Sequence, residues 1–306
     1  MFQLYKQRNF SALINDTFSF FKTHGKNYLK SYFIISGSIL LVISLVTFLL
    51  AKFFLGYTEG TISMIGKSMF VILGALAYFL FIVLSLVCYS VAVFYLKAIQ
   101  EKDAPETKDV VALLKAKLGK IILFPIASLI SFLPLTFLVF FITAFVMGLI
   151  FAALGLFGSI LGFFVFAVMG SFMASWVLLS FYDNLTKDNG FFTSMGNGFT
   201  MVLNGFWKNV GATAIMGIIV FAVMFCVTAL PGLIGTFTLL DQANPEMFDE
   251  SISILSIIGT IFSVLLSFAI TNLALIGQGM IYYSNEEEKG NNSLHSQIDL
   301  IGGESE

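Results

Sequence analysis

Residues 121–182 run for 62 positions without a single Asp, Glu, Lys, Arg or His. No water-facing surface can be built from such a run, because charged side chains make up about a quarter of an ordinary soluble domain. A bilayer core about 30 Å thick takes about 20 apolar residues per helical pass. The run is too long for one pass and reads as two spans, 119–147 and 149–181, turning near Gly148. Three tight passes are the alternative, which would raise the total to seven. Apolar runs at 32–51, 68–95, 210–240 and 251–284 supply one span each. The expected fold is all-α, a polytopic transmembrane helical bundle of six spans.

The whole composition agrees, with 58% hydrophobic and only 11% charged residues. The apolar stretches are continuous rather than alternating, which excludes a transmembrane β-barrel. A soluble enzyme and a secreted disulfide scaffold are excluded with it. A net charge of −2 leaves no basic footprint for nucleic acid, so no nucleic-acid partner is expected.

Direction follows from Lys and Arg, which accumulate on the cytoplasmic side of a membrane. Lys6, Arg8, Lys22, Lys26 and Lys30 precede the first span, and Lys97, Lys102, Lys108, Lys115, Lys117 and Lys120 follow the second. Lys187, Lys208 and Lys289 fall on the same side, and only Lys52 and Lys67 oppose them. Both termini are therefore expected to face the cytoplasm. The first span reads as a retained anchor, since a long basic segment precedes it and no small-residue cleavage site follows. The opposite loop carries Asp241, Glu246, Asp249 and Glu250 without a base, and reads as solvated.

Three amphipathic segments punctuate the chain. Phe10, Ile14, Phe18 and Phe21 share one helical face, as do Val110, Val111, Leu114 and Leu118, and again Phe191, Met195, Phe199, Val202 and Phe206. Such segments suit cytoplasmic helices lying in the headgroup plane. Each leads to a glycine near the start of a span (Gly25, Gly119, Gly211). This spacing of about 93 residues is expected of a three-fold repeat, each unit an interfacial helix and a hairpin. The competing account is simple topology, because any six-span protein places loops before its odd-numbered spans. The organisation expected is an amphipathic segment at 1–30, a transmembrane domain at 31–284, and a disordered acidic cytoplasmic tail at 285–306. In that tail Leu294, Ile298 and Ile301 keep helical spacing, either a docking motif or a frayed end.

Chemistry-bearing residues are scarce. Ionisable groups at mid-span mark proton relays and ion pathways, and none is present. His24 and His295 are the only histidines, and Cys88 and Cys226 lie within spans. No catalytic, cofactor or metal site is expected, and no enzyme activity. The remaining candidates are helix-packing or intramembrane polar positions. Gly155, Gly158 and Gly162 bring small residues together for close backbone approach. Asn272 and Gln278 are six residues apart and point to different faces of the last span. Pro125 and Pro134 each remove a backbone donor and can kink the third. Trp207, Tyr28, Tyr32, Tyr182, Tyr282 and Tyr283 read as interfacial anchors.

The layout over about 9–285 resembles a group of bacterial polytopic proteins. It rests on the start Phe18-Ser19-Phe20-Phe21-Lys22-Thr23-His24-Gly25-Lys26, six phenylalanine-rich spans, and Gly205-Phe206-Trp207-Lys208-Asn209. These are similar to the membrane domain attached to some glycerophosphodiester phosphodiesterases. Their catalysis resides in a separate soluble domain that this chain lacks, so the resemblance implies no phosphodiesterase activity and transfers no functional residue. The expected setting is the bacterial cytoplasmic (inner) membrane. The expected role is a non-enzymatic scaffold or accessory subunit of a membrane complex, partnered by membrane lipids and by another membrane protein or a second copy. The alternative is a transporter or exporter of a neutral or amphipathic solute or lipid.

Overall fold

The computed structural model describes residues 2–58, 64–240 and 250–290. The acidic loop at 241–249 and the spaced Leu294, Ile298 and Ile301 lie outside the described residues. Those described are almost wholly helical, in the order α1 (Phe10–Thr23), α2 (Gly25–Thr58), α3 (Met64–Glu101), α4 (Thr107–Ala116), α5 (Leu118–Leu154), α6 (Leu156–Thr186), α7 (Phe191–Asn204), α8 (Phe206–Leu240) and α9 (Glu250–Gly290). The order short–long–long occurs three times. Each short helix stops one residue before the next begins, at His24, Lys117 and Gly205. Gly119 and Gly211 consequently lie inside α5 and α8 rather than at a break.

Five stretches are long and apolar enough to cross a membrane: Gly25–Leu50, Gly66–Glu101, Ile160–Thr186, Phe206–Val227 and Ile261–Gly290. The remaining expected span corresponds to α5, a single 37-residue helix about 55 Å long at 1.5 Å per residue. Side-chain placement fits lipid: Leu41, Val71, Phe157 and Phe163 are exposed, while Ser36, Asn272 and Gln278 are buried. Apolar groups outside and polar groups within reverse the soluble pattern, because acyl chains replace water as solvent. The protein is a multi-pass integral membrane protein.

Two details depart from expectation. The α5–α6 turn is at Gly155, seven residues beyond Gly148, which lies within α5. Gly155 has φ +55° and open space around its Cα, so the residue that tolerates left-handed backbone sets the turn. Gly148 has no such backbone. Second, residues 285–290 are no tail: α9 continues through them, with Asn285, Glu286 and Glu287 buried. Asn285 Nδ2 donates to Ile281 O at 2.8 Å, and Lys187 pairs with Glu286. Partners in the fold override the acidic composition.

The chain divides into two compact units. One comprises 1–27, 92–218 and 274–306, the other 28–91 and 219–273. Within the first, α1 has three faces. Leu13, Thr17 and Phe20 are buried in protein, Phe10 and Phe18 form an adjacent apolar strip left exposed, and Ser11, Ser19 and Lys22 complete the circuit. α7 repeats the scheme, with Ser194, Met195, Gly198, Met201 and Val202 buried, and Phe192, Phe199 and Leu203 exposed beside them. Asn9 caps α1 through Oδ1, accepting from Ala12 N at 2.9 Å. Before α4, Glu106 N donates to Asp109 Oδ2 at 3.0 Å.

The α6–α7 loop is tied to the start of α5. Lys117 pairs with Asp188, and Lys120 Nζ stands 3.0 Å from the same carboxylate. Bonds first from Lys117 and then from Lys120 hold the Asp188 carboxyl down to about 2. Because the folded value lies below the unfolded one, the tie contributes fully above about pH 4 and is lost as pH falls towards 2. The hydrogen-exchange protection of loop 187–190, taken against the intrinsic amide rate at each pH, should therefore fall over that interval. Asp188→Asn should remove that fall; an unchanged profile in the variant would show that the lysine tie is not its source.

Candidate functional site

Three clusters of polar side chains lie between the long helices among the described residues. In the unit of residues 28–91 and 219–273, Asn272 on α9 is fully buried. Its Nδ2 donates to Phe268 O at 2.7 Å and its Oδ1 accepts the Tyr28 hydroxyl proton. One helical turn beyond Tyr28, Tyr32 OH and Cys88 Sγ are 2.9 Å apart, joining α2 to α3. A hydroxyl or amide in an apolar interior is costly without a partner, and here each of these groups finds one on another helix or on its own backbone.

In the other unit, one hydroxyl joins three helices. Thr213 on α8 gives its only hydroxyl proton to Asn209 O at 2.8 Å. Its lone pairs then accept from Ser175 Oγ on α6 at 2.6 Å and Gln278 Nε2 on α9 at 2.7 Å. Glycines on both sides of Gln278 permit this approach. A Cβ at Gly277 would lie 1.9 Å from Met216 Sδ, and one at Gly279 would lie 2.1 Å from Leu96 Cδ1. Tyr182 OH donates to Leu275 O at 2.9 Å.

The third cluster surrounds the end of α9. Tyr282 and Thr186 hydroxyls are 2.6 Å apart, and the Tyr182 and Tyr282 rings stack at 5.5 Å. The N-terminal segment lies against this end as a strap. Tyr5 meets Tyr283 edge-on, and Arg8 N donates to Ser284 Oγ at 3.0 Å. The Arg8 guanidinium is buried and bonded through all three nitrogens: Nε to Asp16 Oδ2 at 2.8 Å, and the two terminal nitrogens to Leu4 O and Gln3 O at 2.7 Å each.

Asn272 and Gln278 thus serve different partners, as their separation around the helix requires. Gly158 and Gly162 are buried on α6 while Gly155 is exposed at its start. A Cβ at Gly158 would reach Ile150 O at 2.6 Å, which places Gly158 where the α5–α6 hairpin closes. Pro125 is half-buried in α5, and Pro134 lies in a part of α5 whose side chains are outside the described set. The tyrosines differ from expectation. Tyr28, Tyr32, Tyr182, Tyr282 and Tyr283 are interior, and only Trp207, 70% exposed, is placed as an anchor would be. Each hydroxyl of Tyr28, Tyr32, Tyr182 and Tyr282 has a partner in the fold, which explains why these rings can leave the interface.

Sequence reading did not single out Ser175, Thr213, Asp183 or the Arg8 strap, and named Asn209 only as the last residue of the motif that begins at Gly205. The available signal for Asp183 was its position directly after a 62-residue charge-free run. Among the described residues there is no group of three or more His, Cys, Asp or Glu placed to hold a metal ion.

The Tyr28–Asn272 bond makes a measurable prediction. Interhelical bonds in membranes contribute about 0.6 kcal/mol on average and up to about 1.7. A double-mutant cycle with Tyr28→Phe and Asn272→Leu should give a coupling in the upper part of that range, read by unfolding in lipid. Strict additivity would mean that the pair does not join α2 to α9. No protein-family model matches the chain, and neither a curated protein nor a solved structure does.

Proposed function

We propose that this chain is a non-enzymatic scaffold or accessory subunit of the bacterial inner membrane, with both termini in the cytoplasm. The observation carrying this reading is the use made of its polar groups. Asn272, Gln278, Thr213 and Ser175 bind helix to helix, where a transport pathway would keep such groups for solute. Static ties of this kind favour a fixed frame over alternating access.

The exposed apolar strips of α1 and α7 fit the headgroup boundary, with the exposed Lys22 on α1 to meet anionic lipid. Single cysteines at Lys102 and at Lys67 test the orientation. A membrane-impermeant maleimide should label position 67 on intact cells and position 102 only after the inner membrane is opened; the reverse would overturn the assignment.

The role is tested by native mass spectrometry of the full chain, released from its own membrane in lipid particles. A membrane protein retained in fixed stoichiometry, and reassembling with the purified chain, is the expected result. Saturable solute flux in liposomes holding this chain alone would overturn the reading in favour of a transporter.

A further inference from the structure

The α6–α7 hairpin closes over the Asp183 carboxylate, which has no salt-bridge partner among the described residues. Gly198 sits against Ser180, where a Cβ would come 2.1 Å from Ser180 Oγ and 2.8 Å from Ser180 N. This contact sets the register between the helices. On α6, Asp183 and Asn184 follow Ser180 by three and four residues; on α7, Asn197 and Ser194 precede Gly198 by one and four. Separations of three and four share a face, which brings Asp183, Asn184 and Ser194 to the space between the Ser180–Gly198 contact and the loop at 187–190, and Asn197 reaches it through its bond to Asp183.

Hydrogen bonds link Asp183 and Asn184 to the loop, and Asp183 to α7. Asp183 Oδ2 accepts from Asn189 Nδ2 at 2.8 Å and from Asn197 Nδ2 at 3.0 Å. Asn184 Nδ2 donates to Asn189 O at 2.8 Å, so Asn189 binds both neighbours. Asp183, Asn184 and Ser194 are each more than nine-tenths buried. Asp183 Oδ1, Asn184 Oδ1 and Ser194 Oγ have no hydrogen-bond partner among the described residues. Among the described residues the nearby lysines are engaged elsewhere: Lys187 with Glu286, Lys117 and Lys120 with Asp188.

We infer that Asp183 Oδ1, Asn184 Oδ1 and Ser194 Oγ bind an alkali metal cation in the crotch of the α6–α7 hairpin. Two amide donors occupy Asp183 Oδ2, so Oδ1 is the carboxylate atom left to take a partner, and a buried polar atom without one is costly. All three open atoms are oxygens, the donors a hard cation takes. One carboxylate with two neutral oxygens balances a single positive charge; divalent ions ordinarily draw several carboxylates or keep much of their water. The exposed loop residues Lys187, Asp188 and Gly190 place the hairpin crotch next to solvent. The bound cation would fasten α7 to α6 and so fix the exposed strip formed by Phe192, Phe199 and Leu203.

The test uses the full chain in lipid nanodiscs. Thermal unfolding is followed while NaCl or KCl replaces choline chloride at constant ionic strength and pH. A saturable rise in Tm with one of the alkali cations, absent in Asp183→Asn, is expected. Ser194→Ala should move the midpoint about tenfold higher, as loss of one neutral ligand requires. An identical Tm in choline, or a rise that persists in Asp183→Asn, overturns the site. Stability that follows pH while ignoring the alkali cation also overturns it, since a proton would then be the occupant. Should Asp183→Asn fail to fold, the Ser194→Ala midpoint decides, and an unshifted midpoint counts against the proposal.

Discussion

Gly198→Ala should destabilise the protein by about 1–3 kcal/mol, the usual cost of forcing an extra methyl into a packed interior, and Gly198→Val should cost more. The new Cβ would stand 2.8 Å from Ser180 N as well as 2.1 Å from Ser180 Oγ. A hydroxyl can rotate away, but the backbone nitrogen belongs to α6 and moves only with the helix. Separating the helices would also pull Asn197 Nδ2 from Asp183 Oδ2 and Trp176 Nε1 from Met195 O, now 2.9 Å apart. Gly196 is the internal control. It lies on the same helix with nothing within 4 Å of its would-be Cβ. Gly196→Ala should therefore stabilise by about 0.5–1 kcal/mol through helix propensity alone. Opposite signs at positions two residues apart, measured by unfolding in lipid, are the expected result. Equal effects would mean that α7 does not pack on α6 at Gly198.

Hydropathy made the long helices legible because the requirement is one of length and composition, and neither depends on tertiary detail. The turn inside residues 121–182 was harder to place. Every residue there is apolar or small, and Gly148 and Gly155 differ in sequence by nothing that measures positive φ. The amphipathic helices show a similar limit. A helical wheel finds the aromatic side of α1, yet that side consists of two adjacent stripes. Leu13, Thr17 and Phe20 face protein, while Phe10 and Phe18 remain outside. Hydrophobicity does not distinguish lipid from a protein interior, so only packing separates them.

The polar clusters were less legible still. Ser175 and Thr213 are common residues in membrane helices, and their role emerges only when Gln278 reaches the same hydroxyl from α9. Tyrosine near a span end reads as an anchor, but Tyr182 and Tyr282 stack on one another inside. The rule fails here because it assumes that the headgroups are the available polar partner, and Leu275 O and Thr186 Oγ1 are nearer. For 285–290 the acidic composition misled for the same reason: Lys187 and Lys208 take up Glu286 and Glu288.

Arg8→Ala should release the N-terminal strap and cost about 2–3 kcal/mol. Breaking a buried ion pair typically costs about 3–5 kcal/mol, and the lower figure applies because Asp16 keeps 23% of its side-chain exposure and can rehydrate. Burial pulls the guanidinium pKa below its ordinary value while Asp16 pushes it back up, and an arginine remains charged through both. The group therefore has to be bonded where it lies, and it gathers the carbonyls of Gln3, Leu4 and Lys6 around one planar fork. Those bonds curl residues 3–8 into place and set Tyr5 against Tyr283. Without them the segment has only the Arg8 N bond to Ser284 Oγ and its apolar contacts to hold it at α9. Amide exchange over residues 3–9, and cleavage there by an added protease, should rise sharply in Arg8→Ala while α5 and α6 are unaffected. Arg8→Lys should fall between the two, because an ammonium can keep Asp16 but cannot span carbonyls on both sides. If the lysine variant matched wild type in exchange, the positive charge alone would be holding the strap, and the fork geometry would have no part in it.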